Sequence, residues 1–450
     1  MRLTGLDTAF LCLDRDASPM HLGALVTFRR TGLDDPVRVA ALLAQRAQRL
    51  PELRRRVKPS WNPLSAPTWA DDPGFCAKDH LQVHLLEHHA GLESAAAVAA
   101  ELLVHPLMRN RPLWELHVIA GGDWDRFAVL FKMHHAFGDG LSALGIGLRL
   151  LDEFPRGGDL PSSENAVNGT ASPPEATVSG RVWHQPDDVR STVENLVGWL
   201  GDAAGTAVAV LRSARLPTPG SPLVAWSSGR RAMAMASLSL LQVRRIRRAY
   251  GGTVNDVLLS VVTGALRDWL VARGNEVEGL TLRAFIPVSR RSRAGQRIGG
   301  NRLSGYLCEL PVGEANPTER LLQIQRTMAQ SKAAGTSRRP GAIPELADRL
   351  PAAVHRIATP TAGQGAPLLF DLMLTSVPVP NISLTCDGAE LVEVFPMPPL
   401  LAGQALVIGL SWYRDRAYVG LHADRDGLPD VKKLAEAVEP AAYALATLVE

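Results

Sequence analysis

Residues 126–133 read RFAVLFKM, with apolar side chains on both faces of an extended segment, so the strand they predict is central in a sheet. It runs straight into Met133-His134-His135-Ala136-Phe137-Gly138-Asp139-Gly140, and helical spacing of apolar residues resumes over 141–151. The chain therefore has to place a buried strand, a glycine-flanked turn and a helix in immediate succession, with two histidines at the strand end. Catalytic groups favour loops held by rigid elements, and a neutral imidazole accepts a proton from a hydroxyl. The plainer reading of the same residues is a structural histidine pair followed by a turn aspartate. Coincidence is a poor explanation, since H-H-x-x-x-D-G is expected by chance roughly once in a thousand chains of this composition.

The remaining chain mixes both periodicities. Strands are expected at 24–30, 282–288 and 405–410, and helices at 36–50, 254–270 and 431–439, the last ended near Pro440. Residues 155–180 are rich in Pro, Gly, Ser and Asn and lack an apolar period, which reads as a linker. The expected organisation is an N-terminal part over 1–154, a linker over 155–190 and a C-terminal part over 191–450, both parts mixed α/β.

With 48 Lys+Arg against 45 Asp+Glu, a net charge of +3 excludes a dedicated nucleic-acid binder. Cysteines at 12, 76, 308 and 386 are too dispersed for a C-x-x-C pair and read as reduced, buried thiols. Asp7, Asp14, Arg15 and Asp16 interrupt any apolar signal-peptide core, and no run of eighteen uncharged apolar residues predicts a membrane span. The expected location is cytoplasmic, with peripheral contact at a membrane or lipid-droplet surface.

H-H-x-x-x-D-G resembles the superfamily of chloramphenicol acetyltransferase, carnitine acyltransferases, peptide-synthetase condensation domains and bacterial wax ester synthase/diacylglycerol acyltransferases. The flanking blocks select the last of these. They are Leu6-Asp7-Thr8-Ala9-Phe10, Ser18-Pro19-Met20-His21-Leu22-Gly23-Ala24, Arg111-Pro112-Leu113-Trp114-Glu115-Leu116-His117 and Thr253-Val254-Asn255-Asp256-Val257. Further ones are Arg283-Ala284-Phe285-Ile286-Pro287-Val288-Ser289, Gly300-Asn301-Arg302, Gly403-Gln404-Ala405-Leu406 and Gly420-Leu421-His422-Ala423-Asp424.

The resemblance implies two chloramphenicol-acetyltransferase-like halves, each a mixed sheet packed with helices, with a substrate tunnel between them. It implies an O-acyltransferase that moves a long-chain acyl group from acyl-CoA to diacylglycerol or a fatty alcohol. Acyl-CoA is a substrate there; no cofactor or metal is implied. His135 would be the general base, His134 its supporting neighbour, Asp139 an orienter and Gly140 the residue permitting the turn. Asn255 would contribute to the tunnel site and Asp256 anchor the helix start, though capping and the helix dipole explain both. Trp114 and Pro112 would help shape the substrate site, and packing explains them equally. The chain has no G-x-S-x-G nucleophile elbow.

One family motif is altered. S-N-V-P-G-P stands here as Thr375-Ser376-Val377-Pro378-Val379-Pro380, and an asparagine four residues earlier as Asp371. Ser376 shortens an amide to a hydroxyl, and Val379 adds bulk and excludes positive φ. If Ser376 and Pro378 line the acceptor or CoA channel, substrate choice should differ from other members.

Other features have plain readings. His80, His84, His88 and His89 read as a solvated strand and turn before a metal site, and the basic runs 244–248 and 290–293 as solvated faces before a mouth for CoA phosphates or anionic lipid. The apolar stretch 193–212 reads as packing before a lipid-surface segment. Two rivals stay open at this level: a condensation-type enzyme acting on a secondary-metabolite hydroxyl or amine, and a lipid-binding relative without turnover.

Overall fold

The computed structural model describes residues 1–30, 35–62, 65–121, 123–154, 221–289, 301, 303–333, 347–348, 350, 352, 354–356, 359 and 365–447. The expected linker 155–190, the stretch 193–212 and the basic run 290–293 lie outside them.

The first part of the chain runs α1 (Gly5–Leu13), β1 (His21–Arg29), α2 (Pro36–Ala47), β2 (Arg55–Lys58), β3 (Thr68–Asp71), β4 (Leu81–Leu86), α3 (Leu92–Val104), β5 (Trp114–Gly121), β6 (Arg126–His134) and α4 (Gly140–Leu148). The second runs β7 (Arg231–Ser239), α5 (Leu240–Tyr250), α6 (Val254–Ala272), β8 (Leu282–Ser289), β9 (Leu303–Leu310), α7 (Pro317–Ala333), α8 (Ala366–Leu369) and β10 (Leu372–Pro378). It ends with β11 (Thr385–Cys386), β12 (Ala389–Met397), β13 (Leu406–Tyr413), β14 (Arg416–Asp424), α9 (Val431–Glu436) and α10 (Val438–Ala446).

Two six-stranded mixed sheets result, ordered β11-β12-β1-β6-β5-β4 and β7-β14-β13-β10-β8-β9. Each is mixed: β4 with β5, and β10 with both β13 and β8, are parallel, and the other pairs are antiparallel. Helix α2 packs on β4 and β5, and α3 touches β1, β6 and also β7 of the second sheet. Along β6 every residue after Arg126 is buried, as its two-faced apolar pattern requires. Helix α6 is buried over most of its length among the second sheet's helices, which its apolar run predicts. Two expected boundaries differ. The helix of 36–50 stops at Ala47, and the helix of 431–439 is two helices with Pro440 in the first turn of the second. Proline starts that helix rather than ending one, because a first-turn residue has no intrahelical acceptor for its N–H.

The division at residue 154 does not separate the sheets. Strands β11 and β12 belong by sequence to the second part, yet complete the first sheet through pairing of β12 with β1. On its way β12 crosses the second sheet, where Gly409 and Gly420 face each other in register on β13 and β14. A Cβ on Gly420 would stand 2.6 Å from the Pro396 carbonyl oxygen, and one on Gly409 closer still. Glycine is required at both for this backbone approach. Replacing Gly409 by Ala should cost about 1–3 kcal/mol by overpacking and lower Tm by several degrees. Gly147→Ala, at a helical site with nothing within 4 Å, should leave Tm level or raise it. Differential scanning calorimetry of the two variants compares them directly.

Candidate active site

Strand β6 ends at His134, which pairs with His21 of β1. The chain then turns through a short 3-10 helix, His135–Phe137, and an extended Gly138. A side chain on Gly138 would stand 2.7 Å from the Ser142 Cβ. Asp139 caps α4: its Oδ1 accepts from the Ser142 N–H at 2.8 Å and from the Ser142 hydroxyl at 2.7 Å. Gly140 opens the helix, and a Cβ there would lie 3.4 Å from Val377 of β10. The histidine turn of the first half therefore meets the altered motif of the second.

His135 is half-buried, and its ring stacks on Phe10 with centroids 4.0 Å apart and planes 23° apart. Its backbone N–H donates to the Met20 carbonyl at 2.7 Å, and its carbonyl accepts from Asn301 Nδ2 at 2.7 Å. Burial pushes its pKa down to about 4, against the opposing pull of its own backbone carbonyl and of the Asp139 carboxylate. The imidazole is thus neutral at pH 7 and able to take a proton. His134 is placed differently. Its Nδ1 accepts the Ala136 N–H at 3.0 Å, so its ring proton sits on Nε2, which faces Asp14 Oδ2 at 3.5 Å. Burial works to raise the Asp14 pKa, but the hydrogen bond and charge of His134 and the Met20 N–H hold it well below the carboxylate range. His134 uses Nδ1 in a hydrogen bond and turns Nε2 to the Asp14 carboxylate, whereas His135 is in no ion pair among the described residues.

The second wall comes from β10 and the start of α6. Thr253 caps α6 in a reciprocal box with Asp256, whose Oδ2 accepts the Thr253 N–H at 2.8 Å. Asp256 is buried in that cap, so its visible role is to fix the helix start. Asn255, the next residue back, is half-buried and accepts a 2.6 Å hydrogen bond from the Ser376 hydroxyl through Oδ1. Ser376 thus joins the altered motif to the Asn255-Asp256 block. Val379 is buried without a positive φ, so valine is unstrained there, contrary to the expectation from a glycine position. Pro378 lies at the end of β10 in register with Trp412. Asp371 takes the Arg283 N–H on Oδ2 at 2.7 Å and returns its own N–H to the Arg283 carbonyl at 2.8 Å, tying β10 to β8.

Trp114 and Pro112 do not face this space. Trp114 is 0% exposed, donates Nε1–H to the Leu53 carbonyl at 2.8 Å and stacks on His80 with centroids 4.5 Å apart. Pro112 is buried and its carbonyl accepts the Trp114 N–H at 3.0 Å. Both support the β5–β6 pair from within the core, which is the packing role the sequence also allowed.

The other histidines part company: His80 stacks on Trp114, His88 and His89 are exposed, and His84 Nε2 lies 3.1 Å from His117 Nδ1. His117 Nε2 faces Glu115 Oε2 at 3.4 Å, and that oxygen accepts from the fully buried Lys132 at 2.9 Å. Burial acts to raise the Glu115 pKa, but His117 and Lys132 outweigh it and bring it down to about 2. Four residues near His135 had no assigned role in the sequence: Asp7, Phe10, Asp14 and Asn301. Asn301, 1% exposed, donates its N–H and Nδ2–H to Asp7 Oδ1 at 3.1 and 2.8 Å. Burial raises the Asp7 pKa despite these bonds and those from Thr4. The available signal was the Thr4-x-x-Asp7 capping box and the Asn301 block, which lie far apart in the chain.

Residues 3–258 match the wax ester synthase/diacylglycerol acyltransferase catalytic domain, and residues 299–445 the C-terminal domain of the same family. A probable diacylglycerol O-acyltransferase of Mycobacterium tuberculosis H37Rv is 28% identical over 99% of this chain and 96% of its own. A putative one from M. tuberculosis CDC 1551 / Oshkosh is 30% identical over 97% and 88%. Of solved structures, the wax ester synthase/diacylglycerol acyltransferase of Marinobacter aquaeolei VT8 has a TM-score of 0.71 at 24% identity over 100% of both chains. A trichothecene 15-O-acetyltransferase of Fusarium sporotrichioides has 0.61 at 13% identity over 99% and 94%, which shows a shared fold. With both domains matched along nearly its whole length, the chain belongs to the wax ester synthase/diacylglycerol acyltransferase family.

Proposed function

We propose that the protein moves a long-chain acyl group from acyl-CoA to the hydroxyl of diacylglycerol, with fatty alcohols as second acceptors. The observation that carries this reading is the neutral, half-buried His135 imidazole at the place where α4 meets β10. The names borne by the relatives supply the choice of acceptor. His135 takes the hydroxyl proton as the acceptor oxygen attacks the thioester carbonyl carbon. The C–O bond forms, the C–S bond breaks, and the proton passes from His135 to the departing CoA sulfur. Both substrates are bound together in a tunnel between the halves, so no enzyme nucleophile, metal or prosthetic group is called on. In this scheme His134, Asp139 and Gly140 hold the base in place, Asp256 holds the helix that presents Asn255, and Asn255, Ser376 and Pro378 line the substrate path. A water-insoluble acceptor also calls for peripheral contact, from the cytoplasm, with a membrane or lipid droplet. No described helix is long and apolar enough to cross a membrane.

The direct experiment is release of free CoA thiol from palmitoyl-CoA with diacylglycerol, hexadecanol, a small polar alcohol or an amine. Release should require one of the two lipids, and His135→Ala should lower kcat by about 10²–10⁴. Release driven only by the amine or small alcohol, by folded protein, would overturn the acceptor. The wild-type rate should stay level through neutral pH and fall only as pH approaches about 4, where His135 becomes protonated. A limb near ~6.5, the value of an ordinary histidine, would contradict the environment described for it.

Ser376→Asn, which restores the residue usual in the motif, should change the ratio of diacylglycerol to hexadecanol turnover while Tm holds. An unchanged ratio removes Ser376 from the substrate path. Finally, the protein should sediment with diacylglycerol-containing vesicles at moderate salt, and recovery in the supernatant alone counts against surface contact.

A further inference from the structure

We propose that Asn301 and Phe10 are positioning residues that set the His135 imidazole for proton transfer, Asn301 through the main chain and Phe10 through the ring. The inference rests on the reading of His135 as the base. His135 follows the last residue of β6, so the sheet ladder no longer fixes its conformation. Tertiary partners do so instead. Its N–H is held by the Met20 carbonyl, and the Met20 N–H is itself held by Asp14 Oδ1 at 2.8 Å. Its carbonyl is held by Asn301, and the face of its ring by Phe10. With both backbone groups engaged and one ring face covered, the ring has little freedom left. Lost freedom of this kind is what brings a base within reach of its substrate in a single geometry.

The amide of Asn301 is suited to this place because both its N–H bonds are used on acceptors, Asp7 Oδ1 and the His135 carbonyl. Its own Oδ1 is buried with no hydrogen-bond partner. An unpaired buried acceptor is costly, and no isosteric acid supplies two donors here. Asp7 in turn is fixed at the first turn of α1 by the box with Thr4. Phe10 lies one turn along the same helix, so one element holds both the anchor of Asn301 and the ring that covers His135. Asn301 comes from the second half, so the base is set only when the halves are docked. The titratable groups around this point are Asp7 from α1, Asp14 just after it, His134 from β6, Asp139 from the cap of α4 and Asp348, which accepts the Leu6 N–H at 3.3 Å.

The test measures kcat, KM for palmitoyl-CoA, the pH–rate profile and Tm for Asn301→Ala, Asn301→Asp and Phe10→Leu. Asn301→Ala should lower kcat on the order of a hundredfold with KM nearly unchanged. Asn301→Asp puts a second carboxylate against Asp7, and such a pair holds one proton with a raised pKa. The single O–H can serve the His135 carbonyl but not Asp7 as well, so only that part of the clamp survives at acid pH, and it fails as the proton is lost. Activity should fall as pH rises, an alkaline limb the wild type lacks. A purely structural role would lower Tm and the active fraction at every pH and create no new limb. Where Asn301→Ala does not fold, Phe10→Leu, which keeps an apolar filler, decides the matter through a loss in kcat of about tenfold or none. Folded variants with wild-type kcat and pH profile overturn the proposal. His135→Ala in the same assay separates the two ideas. If it is inactive while the Asn301 and Phe10 variants are normal, only the positioning role fails. If it keeps the wild-type rate, the base itself is wrong.

Discussion

The Pro396 carbonyl lies against Gly409 and Gly420 so closely that neither position accepts a side chain, and this approach links the two sheets. It seats β12 against β13 and β14 while β12 itself pairs with β1 in the first sheet, Pro396 opposite Ala24. From there β1 pairs with β6, which carries the histidines, while β13 pairs with β10, which carries Ser376. The separation between His135 and the Asn255–Ser376 pair is therefore set by backbone packing and not by side chains on a loop. A second tie is the buried ion pair of Arg231 and Asp424, from which Arg231 Nη2 also reaches the Ala17 carbonyl at 2.7 Å.

Polar groups are also buried in the first sheet. Lys132, Glu115, His117 and His84 form one connected chain across β6, β5 and β4, and Lys132 spends another donor on the His105 carbonyl at 2.7 Å. Burial lowers the Lys132 pKa, and Glu115 opposes that shift. Such a chain contributes little net stability, because desolvation offsets most of the Coulomb attraction, but removal of one member strands its partner in the core. His135 differs from these groups. His117 faces the Glu115 carboxylate, whereas the charged form of His135 is opposed by burial without a dedicated ion-pair partner.

Much of this was legible in the chain, for separable reasons. The two-faced apolar run of β6 and the Asp139 cap are local, so periodicity and capping rules reach them. The family blocks identified the two halves and the histidine turn. Periodicity could not show the passage of β12 into the first sheet, because pairing between distant strands leaves no local trace. The same limit hid Asn301, Asp7 and Phe10, whose joint position depends on docking segments nearly three hundred residues apart. Trp114 stayed open between packing and the substrate wall because a large aromatic beside a site motif fits both equally well. The structure buries it and bonds it to the Leu53 carbonyl.

The central claim is that His135 is a neutral imidazole held in one orientation at the meeting of the two halves. Nitrogen-15 NMR of histidine-labelled protein, with the His135 signals assigned by comparison with His135→Gln, tests it most directly. The account predicts a neutral ring with one protonated nitrogen at pH 7 and a titration midpoint near about 4. A His135 signal that titrates at ~6.5 or above, like a solvated histidine, would contradict it.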